Sequence, residues 1–201
     1  VGGSACNATG WVSESAVQCV AVGGVAGTRL VAVSVGVQVG SGMGVVSYDG
    51  AAVSAAVSAN APCTGDAVMT VLGAEFGGFD ATSVFARLGG SASAGASEWR
   101  ADSAVRCGVA SGIWGTRRVA VTAGLQVGSA TAVVSYDGPA ADGIATTNVP
   151  SVGVGSVVVV GSGYGDADRG ALSGRVGGSA CDETEWMSDS SMRLGVGAGV
   201  S

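Results

Sequence analysis

One hexapeptide recurs three times in this chain, and its spacing constrains the fold more than anything else in the sequence. Val1-Gly-Gly-Ser-Ala-Cys6 returns as Leu88-Gly-Gly-Ser-Ala-Ser93 and again as Val176-Gly-Gly-Ser-Ala-Cys181. The step from Val1 to Leu88 is 87 residues, and an insertion near Gly95 makes it 88. Trp11 then falls on Trp99, Cys19 on Cys107, and Gly27-Thr28-Arg29 on Gly115-Thr116-Arg117. The same register carries Gln38-Val-Gly-Ser41 onto Gln126-Val-Gly-Ser129, and Val45-Val-Ser-Tyr-Asp-Gly50 onto Val133-Val-Ser-Tyr-Asp-Gly138. A period near 88 is too long for one coil of a solenoid and suits one small sandwich domain.

Within each unit, short Val-rich stretches are separated by Gly, Ser, Asn and Asp. Val31–Val35 alternates Val with small residues, the pattern of a strand with one buried face. Val68–Leu72 and Val157–Val160 read as strands buried on both faces. No window of a dozen residues holds a helical period free of Gly, and β-branched residues favour strands. About seven short strands in two packed sheets are expected per unit.

The boundaries implied by Asp49-Gly50 and Asp137-Gly138 set the chain out of phase with its units. Residues 1–50 read as the later part of one unit, 51–138 as a whole one and 139–201 as the early part of a third. The first piece lacks a strand matching Val68–Leu72. The last lacks matches to Val31–Val35 and Val45–Tyr48. Such pieces would carry half a core and open strand edges. The expectation is that the protein continues at both ends or that neighbouring chains complete them. The start at Val1 likewise reads as processed or excerpted.

The order of motifs resembles the IPT/TIG family of immunoglobulin-like domains. Asn60-x-Pro62-x-x-Gly65 precedes Met69-Thr70-Val71-Leu72-Gly73-Ala74-Glu75-Phe76-Gly77. Asn148-x-Pro150-x-x-Gly153 precedes Val157–Val160 and then Gly161-Ser162-Gly163-Tyr164-Gly165. Gly3-Ser4-Ala5-Cys6 with Cys19, and the late Tyr48 and Tyr136, are similar to the middle and end of the family pattern. The resemblance spans essentially the whole chain. It departs in lacking a proline after Cys19, where Val20-Ala21 stands, and in keeping the cysteine pair only once: Ser93 accompanies Cys107, and Cys181 accompanies Leu194. The resemblance implies an all-β chain of tandem immunoglobulin-like (IPT/TIG-like) β-sandwiches. It also implies a choice of roles: receptor stalks, accessory domains beside carbohydrate-active enzymes, transcription factors, or long arrays in large surface proteins.

Composition narrows that choice. The net charge is −6, and the 9 basic residues, all Arg, are scattered among 15 acids. A nucleic-acid partner needs a basic footprint, so the transcription-factor role is excluded. No apolar run approaches the roughly 20 residues of a spanning helix, so no membrane span is expected. His and Lys are absent, which removes the common general bases and the partner of a Ser or Cys nucleophile. No enzymatic activity and no cofactor are expected.

Cys6 and Cys19 lie 13 residues apart in what would be adjacent strands. They form either a disulfide, which would imply an oxidising compartment, or two small buried thiols. The partners of Cys63, Cys107 and Cys181 stay open. Asn7-Ala8-Thr9 is a glycosylation sequon. Trp11, Trp99 and Trp186 are each followed three residues on by an acid, Glu14, Asp102 and Asp189. Each pair is either a sugar-stacking site or a core Trp followed by a solvated turn. Trp114 has no aromatic counterpart (Ala26 stands there) and is the candidate contact residue on a loop tip. Asp166-Ala-Asp168 is short of the six to eight oxygens calcium takes, so no metal is expected. The leading expectation is a non-enzymatic, extracellular structural region that forms or decorates a filament, fibre or coat through homotypic contacts. The alternative is a cell-surface adhesion stalk that binds a glycan or receptor.

Overall fold

The structure is a computed structural model describing residues 2–25, 27–78, 84–92, 97–113, 115–145, 148–152, 155–166 and 172–198. Every regular element in it is a β-strand. The all-β expectation holds, and the middle of the chain is an immunoglobulin-like sandwich.

That sandwich is built from β5 (Ala52–Val57), β6 (Asn60–Ala61), β7 (Val68–Ala74), β8 (Val84–Leu88), β9 (Ser91–Ala92), β10 (Glu98–Ala101), β11 (Ala104–Gly108), β12 (Gly115–Ala123) and β13 (Gln126–Tyr136). One sheet has the order β10-β11-β7-β5, the other β6-β13-β12-β8-β9. Taking β5, β7, β8, β10, β11, β12 and β13 as strands A to G gives sheets ABED and CFG, the immunoglobulin order. The expected seven strands are these; β6 and β9 are two-residue additions at the edges of the second sheet. Between the sheets lies one core, in which Met69, Val71, Phe76, Val105, Val109, Val119, Val121 and Val134 are fully buried. At roughly 1.5–3 kcal/mol for each such large side chain, this core is the main stabilising term of the unit.

Two strands differ from expectation. Val68–Ala74 alternates, with Met69 and Val71 buried and Val68 exposed. In Gly155–Ser162, Val157 is buried while Val160 is exposed. Both strands sit in antiparallel sheets whose outer face meets solvent, so neither is buried on both sides.

The flanking parts repeat portions of this plan. Residues before Gly50 form two separate hairpins, β1 (Ala8–Ser13) with β2 (Ala16–Val20), and β3 (Gly27–Val35) with β4 (Gln38–Tyr48). These match the D–E and F–G strands. Beyond Pro139, β14 (Ala140–Ile144), β15 (Gly155–Ser162), β18 (Glu183–Ser188) and β19 (Ser191–Val196) form a sheet in the order β14-β15-β19-β18. That is the ABED sheet again, accompanied by a small hairpin of β16 (Arg175–Val176) and β17 (Ser179–Ala180). The D–E hairpin carries a bulge at the same place in all three copies, just after Trp11, Trp99 and Trp186.

Candidate functional site

The repeated Trp and acid act together on one turn. Trp99 Nε1 donates to the Gly77 carbonyl at 3.1 Å, while the Asp102 carboxylate accepts from Gly77 N–H at 3.0 Å. The Asp102 carbonyl also accepts from Phe76 N–H at 2.9 Å. One copy later, Trp186 Nε1 donates to the Gly165 carbonyl at 3.2 Å and Asp189 accepts from Gly165 N–H at 2.9 Å. Gly77 and Gly165 have φ of 99° and 83°, a conformation that favours glycine. The pair therefore clamps an aromatic–glycine turn from the hairpin turn that lies beside it at the same end of the sheet. Trp99 packs partly buried against the core. Asp102 and Asp189 both lie in hairpin turns, Asp102 exposed and Asp189 half-buried, and each turn carboxylate is engaged by a glycine N–H. Their role escaped the sequence because the clamped glycine is about 25 residues away in the chain.

Trp11 stands differently. It is 77% exposed and lines a groove of about 360 Å³ with Thr9, Val17, Cys19, Val31 and Val33. Val17, Val33 and Val35 are 46%, 40% and 72% exposed, whereas their counterparts Val105, Val121 and Ala123 are fully buried. The region before Gly50 thus presents, as an open surface, the side chains that make the core one unit later.

The cysteines take three environments. Cys6 and Cys19 are joined in a disulfide across the β1–β2 hairpin. Cys63 is a buried thiol that donates to the Asp137 carbonyl at 3.0 Å. Cys107 is a buried thiol pushed up to about 11 by desolvation, so it stays protonated and unreactive at neutral pH. Cys181 is a half-buried thiol. Asn7 is exposed on the bend before β1, its N–H held by the Val20 carbonyl at 2.9 Å. Trp114 lies outside the described residues, as does Asp168 of the Asp166–Asp168 pair. Among the described residues no group of three His, Cys, Asp or Glu side chains is placed to hold a metal ion, and no helix is long and apolar enough to cross a membrane.

A second recurring construction lies where one unit meets the next. Tyr48 OH donates to the Val22 carbonyl at 2.7 Å, and Tyr136 OH to the Ala110 carbonyl at 2.8 Å. Each ring lies so close to a glycine, Gly24 or Gly112, that a Cβ there would collide with it. Burial raises the Tyr136 hydroxyl above its usual range against the opposing charge of Arg117. Arg29 and Arg117 donate to the carbonyls of Val25 and Ile113, at 2.6 and 3.0 Å. The residues so held reach forward. Val25 packs against the core that begins at Ala51, and Ile113 lies against Gly165. Ser111 Oγ adds a bond to the Asp166 carboxylate at 3.3 Å.

No family model matches the chain, and no curated protein matches it. Solved structures give weak likenesses. The extracellular region of Plexin A4 aligns over 92% of this chain and 16% of its own, at 15% identity and a TM-score of 0.41. SGBP-B, from a complex xyloglucan utilization locus in Bacteroides uniformis, aligns over 74% of this chain and 43% of its own, at 9% identity and 0.34. Invasin, a bacterial integrin-binding protein, aligns over 92% and 42%, at 16% identity and 0.31. The chain spans less than half the length of each. The immunoglobulin-like assignment rests on strand order, and these likenesses carry nothing about function.

Proposed function

We propose that this chain is a non-enzymatic structural repeat region of an extracellular protein, building or decorating a filament, fibre or cell-surface coat. The units are taken as residues 1–50, 51–138 and 139–201: the late part of one IPT/TIG-like domain, a whole domain and the early part of a third. The observation that carries the reading is the recurring joint. The same Tyr, Gly and Arg hold the same loop at the end of both units, and that loop presses on the next. Joints built alike favour a constant step from unit to unit, which is what a semi-rigid rod requires. The Cys6–Cys19 disulfide supports an oxidising, extracellular location, and the exposed Asn7 is a fitting glycan acceptor. Electron microscopy of the native protein tests the reading. Regular filaments with a repeat of a few units are expected; compact isolated particles would refute it.

Exposed Trp11 in its groove favours a second reading, a stalk module that binds a glycan or receptor. Glycan-array binding lost on Trp11→Ala or Trp114→Ala would select it.

A further inference from the structure

The chain enters the middle unit along one sheet and leaves it along the other. Entry is through β5, paired with β7, and exit is through the end of β13. Between β5 and β6 the chain changes sheets at Ser58, whose φ of 60° is uncommon for a residue with a side chain. The two residues of β6 then lie parallel to the last two of β13, Asn60 beside Ser135 and Ala61 beside Tyr136. Every other strand pairing among the described residues is antiparallel. Parallel pairing of an entry strand with an exit strand has a mechanical consequence. Tension on the array draws β5 and β6 back towards their start and the end of β13 forward towards the next unit. The two strands are pulled past one another along their length. The bonds between them stretch together, whereas bonds in a hairpin opened from its ends break one after another.

The patch is reinforced beyond its two pairs. Ser135 N–H donates to the Ala59 carbonyl at 2.7 Å, and Asp137 N–H to the Ala61 carbonyl at 3.0 Å. On the exposed side, Asn60 Nδ2 donates to the Asp137 carboxylate, and Ser135 Oγ donates to Asn60 Oδ1 at 2.9 Å. On the buried side, the Cys63 thiol donates to the Asp137 carbonyl at 3.0 Å, and the Cys63 carbonyl accepts from Gly112 N–H at 2.9 Å. That last bond ties the patch to the loop that Tyr136 holds at the joint. The polar side chains recur with the period of the array. Asn148 stands 88 residues after Asn60, and Ser47 and Asp49 stand 88 before Ser135 and Asp137. Asn60 and Asp137 are exposed, so packing gives no reason for them to recur. A bond between entry and exit strands does.

Resting on the structural reading above, we propose that the β6–β13 patch is a shear latch that carries tension through the unit and sets how long it survives a pull. Load passes from β5 through β6 to β13 and on to the next unit. The side chains of Asn60, Ser135 and Asp137 add bonds that are loaded together with the backbone ones. The Trp99 and Asp102 clamp lies at the opposite end of the sandwich, off that path.

The test pulls the 201-residue chain by its two ends at a constant force under which the wild-type middle unit lasts seconds. Opening of residues 52–136 is recognised by a lengthening of about 25 nm, from about 3.4 Å per residue less the folded span. Asn60→Ala removes both side-chain bonds and should shorten the lifetime about tenfold. Ser135→Ala removes one and should shorten it about threefold. Asp102→Ala lowers the midpoint of urea unfolding but should leave the lifetime under load within about a factor of two of wild type, because its bond lies off the path. Hydrogen exchange over residues 68–76 verifies that each variant is folded. An Asn60→Ala lifetime equal to wild type, or an Asp102→Ala lifetime shortened as much as that of Asn60→Ala, would overturn the proposal. Native filaments from a protein whose latch fails this test leave the structural reading standing. A working latch without native filaments does the reverse.

Discussion

Tyr164 occupies the place that Phe76 holds one unit earlier. Both rings are buried, and each lies over a glycine, Gly161 or Gly73, where a Cβ would collide with the ring end. The difference is one hydroxyl. Among the described residues the Tyr164 hydroxyl has no hydrogen-bond partner. Its ionisation is raised by burial and by the nearby Asp142 carboxylate, so it is held as a neutral, unsatisfied group. A buried hydroxyl without a partner costs about 1–3 kcal/mol, and the Phe76 site shows that the ring packs without it. Tyr164→Phe should therefore stabilise the β14-β15-β19-β18 sheet by about 1–2 kcal/mol, a factor of roughly 5–30 in its opening equilibrium. Peptide-resolved hydrogen exchange over residues 155–164 reads that factor directly as slowed exchange. The reciprocal Phe76→Tyr should speed exchange over residues 68–76. There the added oxygen meets an already tight ring end and costs about 1–3 kcal/mol in packing alone. If Tyr164→Phe leaves exchange unchanged or faster, the hydroxyl is satisfied in solution and the equivalence of the two sites fails.

Three further outcomes follow from the same geometry. Asp102→Ala should cost about 1–3 kcal/mol by stranding the Gly77 N–H. Trp99→Phe should couple to it in a double-mutant cycle of urea unfolding, because both side chains hold one residue. Cys107 rises from the ordinary 9.0 to about 11 on folding, so its neutral thiol supports the fold fully below pH 9. That support, about 2–3 kcal/mol for a shift of this size, is lost as pH climbs from about 9 to about 11. Tyr136 and Tyr164 shift the same way and add to the loss, and Cys107→Val should remove the thiol's share in denaturation curves across that range. Ala132 sits at φ 58°, where its counterpart Gly44 has φ 70°. Ala132→Gly should relieve about 1–2 kcal/mol of backbone strain, less the glycine's greater unfolded entropy, and raise Tm by a few degrees.

The strands were legible in the sequence wherever alternation or a Val run met a turn signal. Val31–Val35, Val68–Leu72 and Val157–Val160 all fall inside observed strands. Their burial was less legible. A run such as Val157–Val160 looks the same whether one face or two are covered, since the covering strands come from elsewhere. The Trp and acid motif was visible as a spacing, but its partner was not. Asp102 acts on Gly77, and nothing local to Asp102 distinguishes an acceptor in a clamp from an acid in water. Cys63 is a similar case: its acceptor, the Asp137 carbonyl, is 74 residues away.

The three copies amount to one sequence folded in three contexts, and they separate what a residue is from what surrounds it. Trp11, Trp99 and Trp186 share their hairpin, bulge and following acid. Two of them clamp a glycine and are partly buried; the third, with no such turn against it among the described residues, lies 77% exposed. Val33 and Val121 share a register and a hairpin, yet one meets solvent and the other is fully buried. The hairpins therefore form from local pairing and turns, while the core forms only when the two sheets meet. Small side chains sharpen that division. A strand of Val, Ala and Gly buries little area by itself, so most of a unit's stability arises at contacts between halves and not within them. Substitutions at equivalent positions should accordingly differ in effect with their burial, with Val121→Ala costly and Val33→Ala nearly silent in urea unfolding of these 201 residues.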